Sequence, residues 1–285
     1  VGTLLGVPLV GSFADRLGAA RMAALGALLL ALGYQCLASL AVVNGWTTLA
    51  GLLIGLGWGI FYLAAPLSLS VRVTDDNRAF WFARFGAFQM GGIGLSPIVA
   101  TALIRELNFS TAAALSTVAA CCLLASVLLF AFETMSQGAK TASTSANRGW
   151  LRALPLVLAT RARYPILMVG LGASVFTGLM TFQTSLVRGT ALDASTYFAV
   201  YGITVVLARL TLASHMARVN ADRLAVMLLV LMCLGVLLAN FMALGVAVQV
   251  GSAILLGLGY GLVYSVIQTQ VINDAPLELR HAALT

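Results

Sequence analysis

Long apolar runs separated by short polar breaks fill almost the whole chain. The runs cover Val1–Ala14, Met22–Val42, Trp46–Ser70, Ala79–Ile104, Thr111–Phe132, Tyr164–Leu186, Ser195–Ser214, Leu224–Ala243 and Val246–Val271. About 20 apolar residues are enough for a helix to cross the hydrocarbon core of a bilayer, and only helices or closed barrels satisfy their backbone there. The runs are continuous, not alternating, which excludes barrel strands. The pattern predicts an all-α membrane protein with about nine spanning helices. The first run is short and opens on Val1, so it reads as a chain that begins inside a helix, with no signal peptide.

One polar stretch is longer than the other breaks. From Ser136 to Asn147 the residues are small and polar, the composition of a flexible linker. Just after it, Trp150–Leu158 mixes apolar residues with Arg152, which suits a helix lying on a membrane surface. The stretch 133–163 thus separates residues 1–132, with five runs, from residues 164–285, with four.

The two parts share a segment. Gly55-Leu56-Gly57-Trp58-Gly59-Ile60-Phe61-Tyr62 returns as Gly257-Leu258-Gly259-Tyr260-Gly261-Leu262-Val263-Tyr264, positions 55 and 257 being 202 residues apart. Parallel internal repeats of membrane helices mark a two-halved transporter. At this offset the sixth run has no partner before the linker, and the fourth and fifth have none after it. Equal halves would then hold six helices each, with this chain carrying helices two to ten of twelve.

Composition agrees with the pattern. The chain is 61% hydrophobic and 9% charged, with a mean hydropathy of +1.01, far from the roughly 25% charged residues of soluble domains. The net charge of +7 matters for its placement. Among the loops between runs, the even ones contain only Arg105 and Arg188, whereas the basic residues from Arg16 to Arg280 otherwise crowd the odd ones. The positive-inside rule puts those odd loops in the cytoplasm. Nucleic-acid binding is not needed to explain the charge, since no basic face accompanies stacking aromatics. Cys36, Cys121, Cys122 and Cys233 all fall within runs and lack the spacing of a disulfide framework or a zinc site. No metal site, cofactor or catalytic constellation is expected.

Between the first two runs lies Gly11-Ser12-Phe13-Ala14-Asp15-Arg16-Leu17-Gly18-Ala19-Ala20-Arg21. Gly11 and Gly18 permit a close helix approach and a tight turn, and Asp15 suits a helix N-cap paired with a nearby cation. The segment resembles the loop signature of the major facilitator superfamily, Gly-x-x-x-Asp-Arg-x-Gly-x-basic-basic. It matches at Gly11, Asp15, Arg16, Gly18 and Arg21 and departs at Ala20. A worn counterpart runs from Ser214 to Arg223, with Arg218 at the Asp15 position.

The resemblance implies the fold of that superfamily, two pseudo-symmetric six-helix bundles, and a conformational latch built on Gly11, Asp15, Arg16, Gly18 and Arg21. It also implies that the third, sixth and ninth runs line a central cavity. Their aromatic and neutral polar residues are Trp58, Tyr62 and Ser68, then Phe176, Thr177, Thr181, Phe182 and Gln183, then Tyr260, Tyr264, Gln268 and Gln270. Such a lining suits a small amphiphilic molecule. In the fourth run, Ala83, Gly92, Ser96-Pro97 and Ala100-Thr101 follow the spacing of the family's exporter-associated pattern, with small residues replacing four glycines.

The carboxylates all lie in or beside loops, whereas proton relays usually need one at membrane depth. Besides Arg84 near the start of the fourth run, Arg209 is the one charge inside a run. It lies five residues before Ser214, about 7.5 Å along a helix, close enough to snorkel to the inner surface. It is a candidate gate residue with Arg218, or a contact for an anionic substrate.

The reading that results is a monomeric secondary transporter of the bacterial inner membrane, similar to twelve-helix sugar and drug efflux permeases. It would export a small organic solute, with protons and the lipid bilayer as its other partners. An uptake permease for an organic or anionic metabolite is the alternative. A polytopic membrane enzyme would need clustered acids, histidines or an activated nucleophile at one depth, and the two histidines here sit at loop ends.

Overall fold

A computed structural model describes residues 2–70, 72–73, 75–135, 150–216, 219–276, 279 and 283. The described elements are helical: α1 (Gly2–Leu17), α2 (Ala19–Ala38), α3 (Gly45–Ser70), α4 (Asp75–Arg105), α5 (Thr111–Met135), α6 (Trp150–Ala159), α7 (Arg163–Leu186), α8 (Ala194–Met216), α9 (Ala221–Ala239) and α10 (Val246–Asp274), with a 3-10 turn at Met242–Leu244. Eight of the helices are long and apolar enough to cross a membrane, and α1 contributes a shorter apolar stretch, Gly2–Ala14. The apolar runs therefore become helices in the order expected.

Their ends differ from the apolar boundaries for local reasons. The second run continues to Val42, but α2 stops at Ala38, where the Ser39 hydroxyl donates to the Cys36 carbonyl at 2.7 Å. The eighth run continues to Ala243, yet α9 ends at Ala239, its last carbonyls taken by the Asn240 side chain. Asn220 opens α9 by accepting from the Asp222 and Arg223 amides, which satisfies donors that a helix start otherwise leaves unpaired. The segment expected on the membrane surface forms the ten-residue helix α6.

The helices group into two compact units. One comprises Val1–Arg78, Ala102–Leu154 and Thr285; the other comprises Ala79–Thr101 and Pro155–Leu284. The first unit is therefore built on α1, α2, α3 and α5, and the second on the central part of α4 with α7, α8, α9 and α10.

In each unit the Gly-x-Gly-x-Gly helix packs on two partners at once. In the first, a methyl group added to Gly57 would lie 2.7 Å from both the Gly26 carbonyl oxygen and the Leu30 nitrogen of α2. The flanking Gly55 and Gly59 face α1 instead, with added methyls 3.3 Å from Gly2 Cα and 2.5 Å from the Thr3 carbonyl oxygen. In the second unit a methyl group added to the middle glycine, Gly259, would lie 2.8 Å from the Leu228 carbonyl oxygen and against the Met232 nitrogen of α9, while Gly257 and Gly261 face Thr204 and Val205 of α8. Each neighbour pair is displaced by the same 202 residues: Gly26 to Leu228, Leu30 to Met232, Thr3 to Val205. A further pair repeats in reverse: a methyl group added to Gly33 of α2 would lie 3.0 Å from the Ile54 nitrogen, and one added to Gly235 of α9 2.8 Å from the Leu256 nitrogen. The sequence repeat is thus also a packing repeat, α1–α2–α3 returning as α8–α9–α10.

Polar side chains reinforce these contacts. The Ser126 hydroxyl of α5 donates to the Ala24 carbonyl of α2, and the Ser252 hydroxyl of α10 to the Gly235 carbonyl of α9, both at 2.8 Å. Because lipid is as apolar as the side chains, helix association rests on van der Waals fit and such interhelical bonds.

Replacing Gly57 or Gly259 with alanine should destabilise the protein by about 1–3 kcal/mol, the usual cost of overpacking. The same change at Gly51, where the added methyl would meet nothing outside its own helix within 4 Å, should not destabilise it. Thermal unfolding of the purified protein in detergent separates the two outcomes.

Candidate functional site

The latch segment breaks at Gly18, the residue between α1 and α2, whose φ of +87° favours glycine. Asp15 falls inside α1, so it does not stand at the start of α2 as an N-cap; Gly18 occupies that position. The Asp15 side chain lies outside the described part of the chain. Arg16 is exposed and Arg21 is half-buried.

Gly18 also marks where a charged pair comes in. A methyl group on it would lie 3.0 Å from Glu133 Oε1 at the end of α5. The other carboxylate oxygen of Glu133 accepts from Arg72 at 2.5 Å. Arg72 in turn donates to the Ser68 carbonyl at 2.7 Å and lies over the Phe132 ring, 5.0 Å from its centroid. The first unit therefore gathers the α1–α2 turn, the end of α3 and the end of α5 around one partly buried ion pair. Sequence reading places Glu133 only among the loop carboxylates. Nothing in the local pattern pairs it with a residue 61 positions away.

The candidate cavity residues fall into distinct groups. Trp58 and Tyr62 of α3 pack together with ring centroids 5.8 Å apart, and their counterparts at the 202-residue offset, Tyr260 and Tyr264 of α10, do so at 6.4 Å. In the second unit Phe176 stacks on Tyr260 at 4.2 Å with planes 10° apart and also meets Tyr201 at 5.5 Å. Each such ring pair contributes roughly 0.5–1.5 kcal/mol beyond area burial.

Helix α7 divides its candidates between two faces. Phe176 and Gln183, seven residues apart, turn into the unit; Gln183 is fully buried and donates to Met242 Sδ at 3.4 Å. Thr181 lies on the other face with Ala173, Ser174, Thr177, Gly178 and Phe182, lining an open concavity of about 440 Å³. Phe176 and Thr181 therefore do not share one lining surface. The Gln268 side chain lies outside the described residues, while Gln270 donates to the Asp222 carboxylate at 2.8 Å.

Sequence reasoning missed Tyr201. It is fully buried at the centre of the aromatic group, with its hydroxyl 3.8 Å from Met90 Sδ of α4. Its spacing from Tyr197, one helical turn earlier on α8, was the available signal, but α8 is not among the helices that the resemblance assigns to the cavity.

Arg209 is only 5% exposed. Its Nε donates to the Gly261 carbonyl of α10 at 2.9 Å, so the guanidinium is held inside the second unit and does not reach out to its surface. Desolvating a guanidinium is expensive, and a charge-assisted bond to a carbonyl offsets part of that. The other candidate gate residue, Arg218, lies outside the described residues.

The family profile described as Major Facilitator Superfamily matches residues 1–285. No curated protein matches the chain.

The Arg72–Glu133 pair should show a coupling energy of roughly 0.5–3 kcal/mol in a double-mutant cycle built from Arg72→Met and Glu133→Gln and read by thermal unfolding. Gly18→Ala should cost about 1–3 kcal/mol for its backbone conformation, and more than Gly45→Ala, where no atom lies within 4 Å of the added methyl.

Proposed function

The chain belongs to the Major Facilitator Superfamily and is an integral, multi-pass membrane transporter, and from that premise we propose that it exports a small amphiphilic organic solute by alternating access in exchange for protons. The observation that carries this reading is the packing repeat. Two three-helix groups with matching backbone contacts fit the internal repeats on which transporters that work by alternating access are built.

The nature of the solute follows from the side chains on offer. Trp58 and Tyr62 in the first unit, the hydroxyls of Ser174, Thr177 and Thr181 beside Phe182 in the second, and the near absence of charge within the helices favour a neutral or weakly charged molecule with an apolar body. Arg209 is engaged with Gly261, which favours a structural use of its charge over contact with an anionic substrate.

Direction rests on α4, where Pro97 lies within an unbroken helix and Thr101 Oγ1 donates to its carbonyl at 2.8 Å. The tight contacts of α4 come from Gly86 and Gly94, however, and a methyl group added to Gly92 of the exporter-associated pattern would meet nothing outside its own helix within 4 Å. The proposal assigns proton exchange to no particular carboxylate. Glu133, Asp193, Asp222 and Asp274 stand at helix ends or just outside them. In the proposed orientation, the odd loops and the 133–163 segment face the cytoplasm of a bacterial inner membrane.

Proteoliposomes test the reading with ethidium as a model amphiphile and an entrapped pH-sensitive dye. Ethidium movement driven by an imposed pH gradient, with matching proton movement, is the expected result. Movement that ignores the gradient would remove the proton coupling. Asp15→Asn should lower the initial rate about tenfold or more, equivalent to about 1.4 kcal/mol or more in barrier height, while insertion is unchanged. An unchanged rate would remove the latch assignment.

A further inference from the structure

Helix α4 passes α8 on a face made by Gly86, Met90 and Gly94, each four residues from the next. At Gly94 the two backbones touch, and a methyl group added to Gly202 of α8 would lie 2.6 Å from Gly94 Cα. Along the same face, Met90 takes the Tyr201 hydroxyl against its sulfur. At Gly86 the neighbour is a side chain: an added methyl would overlap Nη1 of Arg209.

That side chain is not free to swing away. Its Nε is committed to the Gly261 carbonyl at 2.9 Å, and the residue is 5% exposed. Gly261 is itself packed against Val205 of α8, so the carbonyl that holds the guanidinium is fixed by the same helix that carries Arg209. We infer that Arg209 is a positioning residue: docked on Gly261, its guanidinium fills the notch that Gly86 leaves in α4 and thereby sets how closely α4 lies on α8.

The fit has two arrangements. With glycine at 86, α4 lies flat on α8. With any larger residue, either the guanidinium leaves the Gly261 carbonyl or α4 lifts. Gly86 and Gly94 are eight residues apart, about 12 Å along a helix, so lifting at Gly86 tilts α4 about its crossing with Gly202. In sequence, α4 precedes the 136–149 stretch and α8 follows it. The pair therefore governs a contact between helices from opposite sides of the linker. This goes beyond the transport reading and depends on neither substrate nor direction.

Disulfide formation between Gly91→Cys and Val206→Cys reports the α4–α8 spacing, because a methyl on Gly91 lies 3.4 Å from Val206 Cγ2. The experiment uses the full chain in lipid nanodiscs with Cys36, Cys121, Cys122 and Cys233 changed to alanine. Adding Gly86→Ala should slow cross-linking about fivefold or more, the ratio expected of a population shift near 1 kcal/mol. In an Arg209→Ala background the same Gly86→Ala change should alter the rate by less than about twofold, since the space is then vacant. Equal slowing in both backgrounds, no slowing in either, or two introduced thiols that do not cross-link at all overturns the inference. Should the Gly86→Ala protein fail to accumulate in the membrane, the Gly86→Ala, Arg209→Ala double variant should accumulate; failure of both would overturn it equally.

Discussion

Backbone meeting backbone at glycine is the contact on which everything else in this protein rests. Within a bilayer, burying apolar side chains against each other gains little over burying them in lipid, so helices associate by close fit. Here the fit is obtained by leaving out side chains. Gly57 admits α2, Gly55 and Gly59 admit α1, and the same arrangement of Gly259, Gly257 and Gly261 admits α9 and α8. A helix that must touch two neighbours at once needs small residues on two faces, and a glycine at every second position supplies both. Alternate glycines point about 200° apart around a helix, which is why one five-residue stretch serves two interfaces.

The two copies use this common frame differently. In the first, α1 presents Gly2 and Gly6 to α3, and the contact is almost wholly backbone. In the second, the corresponding face of α8 carries Thr204 and Ala208, followed by Arg209 where α1 has Val7. The space between α8 and α10 holds side chains, Val205 against Gly261 and the guanidinium on the Gly261 carbonyl. The aromatic group of Phe176, Tyr201 and Tyr260 belongs to this second copy. Its counterpart in the first, Trp58 with Tyr62, is more open, Trp58 being 38% exposed. The first copy thus meets both neighbours on backbone, whereas the second does so against α9 and fills its α8–α10 interface with side chains and a buried cation.

Periodicity and repetition made much of this legible beforehand. The apolar runs gave the helices, because in lipid nearly every apolar stretch of that length becomes one. The 202-residue offset gave the correspondence of α1, α2 and α3 with α8, α9 and α10, since a glycine pattern kept in both copies implies neighbours kept in both. What stayed hidden depends on direction around a helix and on distance through space. Phe176, Thr181 and Gln183 look alike as candidates on a helix that is apolar throughout, and only packing shows that Thr181 faces away from the other two. Arg72 and Glu133 meet because α3 and α5 end together, which no local pattern records. Arg209 lies near enough to a helix end to snorkel, but a carbonyl inside the unit holds it.

The helices α1–α2–α3 and α8–α9–α10 are one packing arrangement used twice. An electron cryo-microscopy map of the protein in a lipid nanodisc, at a resolution that places helix backbones, measures it directly. The predicted map shows Gly57 against the Gly26 carbonyl and Gly259 against the Leu228 carbonyl, with the two triplets superposing at a constant offset of 202 residues. A map in which Gly259 faces lipid, or meets α9 a helical turn away from Leu228 and Met232, would contradict it.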